Sequence, residues 1–205
     1  KDTKNLKLLF PKNLSKIYQT GSPRSDLWKN FFFDYWEIPK KIPKKPFLLV
    51  ASNLGIANNI KPFYQFIKSQ KKAGYFLRDP SLLKENFVGI SDEYKLIYDF
   101  LQAIKHLSKY NNGYDIVVRP HPVENIEAWK TFLEDVPNTH VIREGSISPW
   151  VKSAFAVMHN GCTTAVEAVV SEKPVLTYVT FEQKVTTVLG ANKVGIRVET
   201  PNELL

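Results

Sequence analysis

The stretch Ala154-Phe155-Ala156-Val157-Met158-His159-Asn160-Gly161-Cys162-Thr163-Thr164-Ala165-Val166-Glu167-Ala168 decides the fold. The apolar run from Ala154 to Met158 reads as a buried strand, Asn160-Gly161 turns the chain, and a helix runs from Thr164 to Glu172, closing at Lys173-Pro174. Strand, glycine turn and helix start leave free backbone N–H groups and a positive dipole end aimed at one point, which favours a bound phosphate. Thr164 and Glu167 also have the spacing of a capping box, in which Glu167 bonds back to the Thr164 N–H. That role competes with a ligand for the same carboxylate, whereas the Thr163 and Thr164 hydroxyls serve a phosphate under either reading. Cys162 reads as a small buried filler, since no base stands beside it in sequence. His159, at the strand end, suits a structural role as well as a functional one.

About forty residues earlier, Arg119-Pro120-His121-Pro122 follows a second apolar run, Tyr114 to Arg119. Arg119 and His121 each precede a proline and are therefore held extended. Side chains two apart in an extended segment point the same way, so a fixed cation and an imidazole approach the same edge. The structural alternative is a strand-exit histidine capping a helix from Glu124, with Arg119 on a surface carboxylate. Further out, Phe47 to Ser52 is a strand ending in the turn Asn53-Leu54-Gly55, followed by a helix over about 59–72. Ser91-Asp92-Glu93 reads as the cap of an amphipathic helix to about Tyr110, stopped by Asn112-Gly113. A helix over 124–133, a short strand at Val141-Ile142, a helix opening at Ser148-Pro149 and a strand over 175–179 complete the alternation. Continuous apolar strands, each followed by a helix, predict a doubly wound α/β domain with a parallel sheet, whose ligands sit beyond the carboxyl ends of the strands. Arg143-Glu144-Gly145-Ser146 falls on that edge, where backbone groups suit a base and Gly145 permits close approach.

The 205 residues suffice for one substantial core, and no apolar stretch approaches the length of a membrane span. No signal-peptide pattern opens the chain. The single cysteine excludes an internal disulfide and fits a reducing cytoplasm. No Cys/His cluster has zinc spacing, and neither a Walker A sequence nor a GxGxxG fingerprint occurs, so no metal or cofactor is expected. The net charge of +8 is lopsided: residues 1–46 carry 11 lysines and arginines against 4 carboxylates, and residues 47–205 carry 17 against 16. Trp28, Phe31, Phe32, Phe33, Tyr35 and Trp36 interleave with those cations. Such a segment suits packing against a further domain, or an anionic membrane surface on the inner face. Nucleic acid is disfavoured, because no helix carries a basic stripe. Lys40 to Pro46 reads as a stiff, exposed linker. Thr20 to Arg24 reads as a strand end, and Asn202 to Leu205 as a helix start. This divides the chain into a basic, aromatic segment with its linker (1–46) and a globular domain (47–205).

Val118-Arg119-Pro120-His121-Pro122, Glu144-Gly145-Ser146, Pro149-Trp150, His159 to Ala168 and Lys173-Pro174-Val175 together resemble the bacterial surface carbohydrate (surface polysaccharide) biosynthesis proteins. Thr20 to Asp26 and Ser52 to Asn58 share in the resemblance, which is densest over residues 116–178. More distantly, the His-Pro element and hydroxyl-rich helix start are similar to sialyltransferases, Kdo transferases and teichoic-acid polyol phosphotransferases. The resemblance implies the Rossmann-like, C-terminal nucleotide-binding half of a GT-B fold, metal-independent, with a CMP- or CDP-linked donor and with residues 1–46 as the crossing segment from an N-terminal domain not included. It implies His121 and Arg119 as catalytic groups on the donor phosphate, and Thr163 and Thr164 on that phosphate at the helix start. It further implies Glu167 on the ribose, the Arg143 to Ser146 loop on the base, and Asn53, Gly55, Asn160 and Gly161 around the donor. Implied partners are a nucleotide-sugar donor, with a CMP-linked 2-keto sugar the leading expectation, and a glycan or lipid-linked acceptor; the rivals are a CDP-glycerol transferase and a non-catalytic nucleotide-binding or membrane-adaptor domain. A Gly often stands before the Lys-Pro turn in such proteins, where this chain has Glu172.

Overall fold

Six strands form one parallel sheet in the computed structural model, which describes residues 2–12, 18, 21–110, 113–183 and 190–205. They are β1 (Phe47–Ala51), β2 (Asp115–Arg119), β3 (Thr139–Val141), β4 (Ala156–His159), β5 (Val175–Tyr178) and β6 (Ile196–Val198), in the order β3-β2-β1-β4-β5-β6. This is a doubly wound order, with its switch point between β1 and β4. Register aligns the strand ends: Ala51 lies opposite both Arg119 and His159. The segments that follow these three residues therefore emerge along one edge.

Every residue of β1 is buried, because both sheet faces are covered. On one face Leu48, Val50, Ile116, Val118 and Met158 meet the helix α5 (Ser81–Tyr110), through Leu96, Phe100, Ile104 and Leu107, and Trp129 of α6 (Ile126–Phe132). On the other, Phe47, Leu49, Val117 and Val157 meet Trp150 and Val151 of α7 (Ser148–Ser153) and Ala165 and Ala168 of α8 (Thr164–Val170). The period of two along each strand divides one apolar run between two cores. β6 was not legible: Ile196 is exposed at the sheet edge, and only Val198 of its three residues is buried.

Three local expectations are corrected. Ser91-Asp92-Glu93 does not cap a helix, because α5 begins ten residues earlier. There Asp79 Oδ1 accepts from the Ser81 N–H at 3.0 Å and the Ser81 hydroxyl at 2.7 Å. The first part of α5 buries nothing, so apolar periodicity gave no sign of it. The capping box at Thr164 and Glu167 is also absent: Thr163, the residue preceding α8, already has helical dihedrals, and no side chain caps it. Third, Pro23–Asp26 is a short helix (α2) with Ser22 before it, not a strand end; Thr20 lies outside the described residues. The stop signal at Asn112 also lies outside them, and the helix expected over about 59–72 starts at Phe63 as α3 (Phe63–Lys72), after Pro62.

The exit of α8 explains the residue before Lys173. Glu172 has φ 56°, its N–H bonds to Val169 O at 3.0 Å, and the Lys173 N–H reaches back to Ala168 O at 2.9 Å. This paired C-terminal cap places its left-handed residue where glycine is usual. Glu172→Gly is expected to stabilise the protein by about 1 kcal/mol, the left-handed penalty of a side chain, reduced by the loss of an exposed bond from Asn30 Nδ2 at 2.9 Å. A melting temperature that fails to rise would contradict this.

Residues 21–40 form a strap over α7 and α8. The Lys152 ammonium donates to Lys29 O (2.7 Å), the Ser171 hydroxyl to Trp28 O (2.7 Å), and the Lys40 N–H to the Glu144 carboxylate (3.1 Å). Phe33 lies beneath Lys152 at 5.8 Å, whereas Phe31 is 88% exposed.

Candidate functional site

A cavity of about 600 Å³ opens beyond the aligned ends of β1, β2 and β4. Its wall carries three arginines (Arg24, Arg119, Arg143), His121, and the hydroxyls of Ser52, Ser146, Ser148, Thr163 and Thr164, with no carboxylate. Trp36 closes one side and borders an adjoining cavity of about 530 Å³ containing Lys40 and Glu144; Gly145 and Ser146 border both. Arg24 and Trp36 come from the strap, so the site is assembled from both parts of the chain.

The prolines of the His-Pro segment set its direction, but a buried carboxylate sets its position. Glu124 is fully buried, and four donors converge on it. Oε1 accepts from the Ser52 hydroxyl (2.8 Å), the Leu54 N–H (3.2 Å) and the His121 N–H (2.9 Å), and Oε2 from Trp129 Nε1 (2.8 Å). One side chain thus ties the loop after β1 to the loop after β2. Glu124 is not a helix start; Asn125 caps α6 by accepting from the Glu127 N–H at 3.1 Å. His121 Nδ1 lies 3.4 Å from the Val123 N–H, which favours the tautomer with its proton on Nε2. Arg143 Nη1 holds the same turn through the carbonyl of Glu124 at 2.8 Å and that of Pro122 at 3.2 Å.

Arg119 is only 7% exposed. Its two terminal nitrogens donate to Glu144 O (2.7 Å) and Gly145 O (2.9 Å), and its guanidinium lies 5.0 Å over the Trp150 ring. Burial, and then the neighbouring Arg143, lower its pKa to about 10, so it remains charged at neutral pH. Arg119 therefore fixes the Glu144–Gly145 loop while adding positive field to the cavity.

Of the residues singled out from the sequence, Arg119, His121, Gly145, Ser146, Thr163 and Thr164 meet at the cavity, and Glu144 faces the adjoining one. Asn53, Gly55, Asn160 and Gly161 instead build the frame behind it. Asn53 Nδ2 donates to Gly161 O (3.1 Å), buried Asn160 Nδ2 to Tyr178 O (2.7 Å), and the Gly161 N–H to Asn192 Oδ1 (2.6 Å). Val123 packs so tightly on Gly55 that a Cβ there would collide. Glu167 is buried and does not bond to the start of its own helix, and its Oε1 has no hydrogen-bond partner among the described residues; burial raises its pKa, partly opposed by Ser148, Arg24 and Lys152. Cys162 is buried with its thiol pKa raised by burial, as suits a filler.

Sequence reasoning missed Glu124, Glu93 and the strap residues Arg24 and Trp36. Glu93, inside α5, accepts from the Ile56 and Ala57 N–H groups at 2.8 Å each and so holds the loop after β1 from the other side. A carboxylate within an apolar helix face was the available signal. Among the described residues no group of three or more side chains could hold a metal ion, and no helix is long and apolar enough to cross a membrane.

The sequence matches no protein-family model and none of the curated proteins. Among solved structures the chain is similar to Thermosulfurimonas dismutans KpsC, a beta Kdo 2,7 transferase, with a TM-score of 0.42 and 11% identity over 98% of this chain. The chain spans about half of that protein, 52% of its length.

Proposed function

We propose that this chain is the nucleotide-sugar-binding half of a glycosyltransferase of bacterial surface polysaccharide biosynthesis, using a CMP-linked 2-keto sugar. The observation that carries the reading is the cavity wall: three arginines, a histidine and five hydroxyls, without a carboxylate, at the switch point of a doubly wound sheet. Such a wall selects a compact anion that also offers hydroxyl groups. Transfer of the sugar builds negative charge on the departing nucleotide phosphate. Preorganised donors already aimed at that charge lower the barrier without reorganising. His121 would supply its Nε2 proton as a hydrogen-bond donor, Arg24 and Arg143 the opposing charge, and Thr163 and Thr164 hydroxyl contacts. Arg119 acts from behind, through the loop that faces the base. Ser148, on the cavity wall, would present its hydroxyl to the ribose. The acceptor is a glycan or lipid-linked sugar.

Calorimetric titration with CMP, CDP, UMP, UDP and inorganic phosphate tests the reading. Cytidine nucleotides are expected to bind best, and His121→Ala and Arg24→Ala each to weaken them about tenfold, the worth of one hydrogen bond or charge contact. Preference for uridine would overturn the donor class. Absence of any nucleotide binding at millimolar concentration, or full binding by both variants, would overturn the site.

A further inference from the structure

Residues 55–95 include α3, α4 (Tyr75–Arg78) and the first half of α5, and none of them is buried. The segment is nevertheless rich in apolar side chains. Phe63 packs on Phe66 (6.2 Å) and Phe87 (5.2 Å), giving the flap a small cluster of its own. Outside that cluster Leu77 is 90% exposed, Tyr64 66% and Tyr75 45%. The same segment carries the exposed cations Lys68, Lys71, Lys72, Arg78 and Lys84, with the Arg78 guanidinium 5.9 Å from the Tyr75 ring. Residues 60–90 hold six lysines and arginines against two carboxylates, and one of these, Asp79, is occupied in capping α5. The rest of the globular body, 47–59 and 91–205, has 11 against 14, so the positive charge is specific to this flap.

Exposed apolar side chains interspersed with lysines have a physical preference among partners. Protein interfaces deplete lysine at their centres, because burying an ammonium is costly. An anionic lipid surface accepts both halves: the aromatic and aliphatic tip enters the headgroup region while the cations stay among the phosphates. We propose that α4 and its flanks dock this protein on an anionic membrane surface, with Tyr75 and Leu77 entering the headgroup region and Lys71, Lys72, Arg78 and Lys84 surrounding them. The base of the flap is bonded to the turn that carries His121: the Ile60 N–H donates to Val123 O (3.0 Å), and the Asn125 N–H to Asn58 O (2.7 Å). Pro122 borders both the main cavity and a groove of about 400 Å³ that includes Lys61 and Phe66 of the flap. Docking would bring a membrane beside the cavity, where a lipid-linked acceptor is found. The proposal does not depend on the nucleotide reading.

The test is co-sedimentation of the full chain with vesicles of phosphatidylcholine alone and of phosphatidylcholine with phosphatidylglycerol. Binding is expected to the anionic vesicles and to fall in high salt. Lys71→Glu with Lys72→Glu should weaken it at least about 25-fold, from about fivefold per removed cation. Leu77→Ser should weaken it about tenfold through lost apolar insertion. All these side chains are exposed, so circular dichroism should be unchanged. No binding to anionic vesicles, or binding undiminished in both variants, would overturn the proposal. So would binding lost only on Leu8→Ser with Leu9→Ser, which would assign the contact to α1 (Asp2–Leu9) instead.

Discussion

Glu124→Ala is expected to destabilise the protein by about 5 kcal/mol, a large part of the ~5–15 kcal/mol that folds a domain. Its carboxylate satisfies a hydroxyl, two backbone N–H groups and an indole N–H, all at a fully buried position. A buried donor left unmatched costs about 1–3 kcal/mol. Four such donors around a truncated side chain do not simply add, since some will find other partners or water. Glu124→Gln keeps one oxygen but turns an amide N–H toward donors, and should fall about midway. Urea unfolding followed by tryptophan fluorescence measures both. A loss below about 2 kcal/mol for Glu124→Ala would mean that the two loops are held together by something else. Where the variant remains folded, its cavity should bind nucleotide more weakly than His121→Ala, because the turn beneath His121 has lost its anchor.

Acidification is expected to act on buried His159 and half-buried Glu93 in opposite senses. His159 is fully buried, with Nε2 2.9 Å from Thr177 Oγ1. Thr177 donates its own proton to Val194 O at 2.6 Å, so its oxygen accepts from His159 and Nδ1 carries no proton. Burial lowers the His159 pKa from 6.5 to about 4. Above 6.5 the native and unfolded states are both neutral and its stability is intact. As pH falls from 6.5 towards 4, the unfolded chain takes a proton that the native state refuses, removing about 3 kcal/mol. Glu93 runs the other way: burial raises its pKa from 4.5 to about 7, against the two N–H bonds that lower it, with Glu124 nearby adding to the rise. The native state takes that proton first, so stability is gained as pH falls from 7 to 4.5, by about 3 kcal/mol. These two contributions nearly cancel in the intact protein, leaving buried Glu167, whose pKa burial also raises, to add some stability as pH falls. The single variants expose them. Glu93→Gln should lose about 2 kcal/mol between pH 6.5 and 4.5, and His159→Gln, which keeps a donor toward Thr177, should gain about as much. Denaturant midpoints at pH 6.5, 5.5 and 4.5 decide it; parallel curves for both variants would contradict the assignment.

Sequence made the sheet readable wherever an apolar run ended in a turn signal. Phe47 to Ala51 and Val175 to Tyr178 were legible because their residues pack on both faces and need no polar alternation. Elements that bury little were not legible: the first half of α5 and the edge strand β6 carry no periodicity to read. The site was half legible. Arg119, His121, Thr163 and Thr164 sit next to strand ends, where position alone brings them together. Glu124 and Glu93 escaped notice because their partners lie in loops about 40–70 residues away in sequence. Arg24 and Trp36 reach the cavity by a path over α7 and α8 that no local pattern specifies. The capping-box spacing misled because Thr163 is already helical, and no side chain caps the helix there.

The strap is fastened in an asymmetric way. Lys152 and Ser171, in the body, grip main-chain oxygens of Lys29 and Trp28, not their side chains. An attachment that reads only the peptide backbone tolerates almost any residue at those two points. The strap can therefore exchange its own side chains without coming loose. Two of them, Arg24 and Trp36, overhang the cavity. Ligand preference can drift by swaps in a surface segment while the sheet, its cores and the Glu124 anchor remain untouched, so retooling this pocket for a different ligand need not begin with a change in the fold.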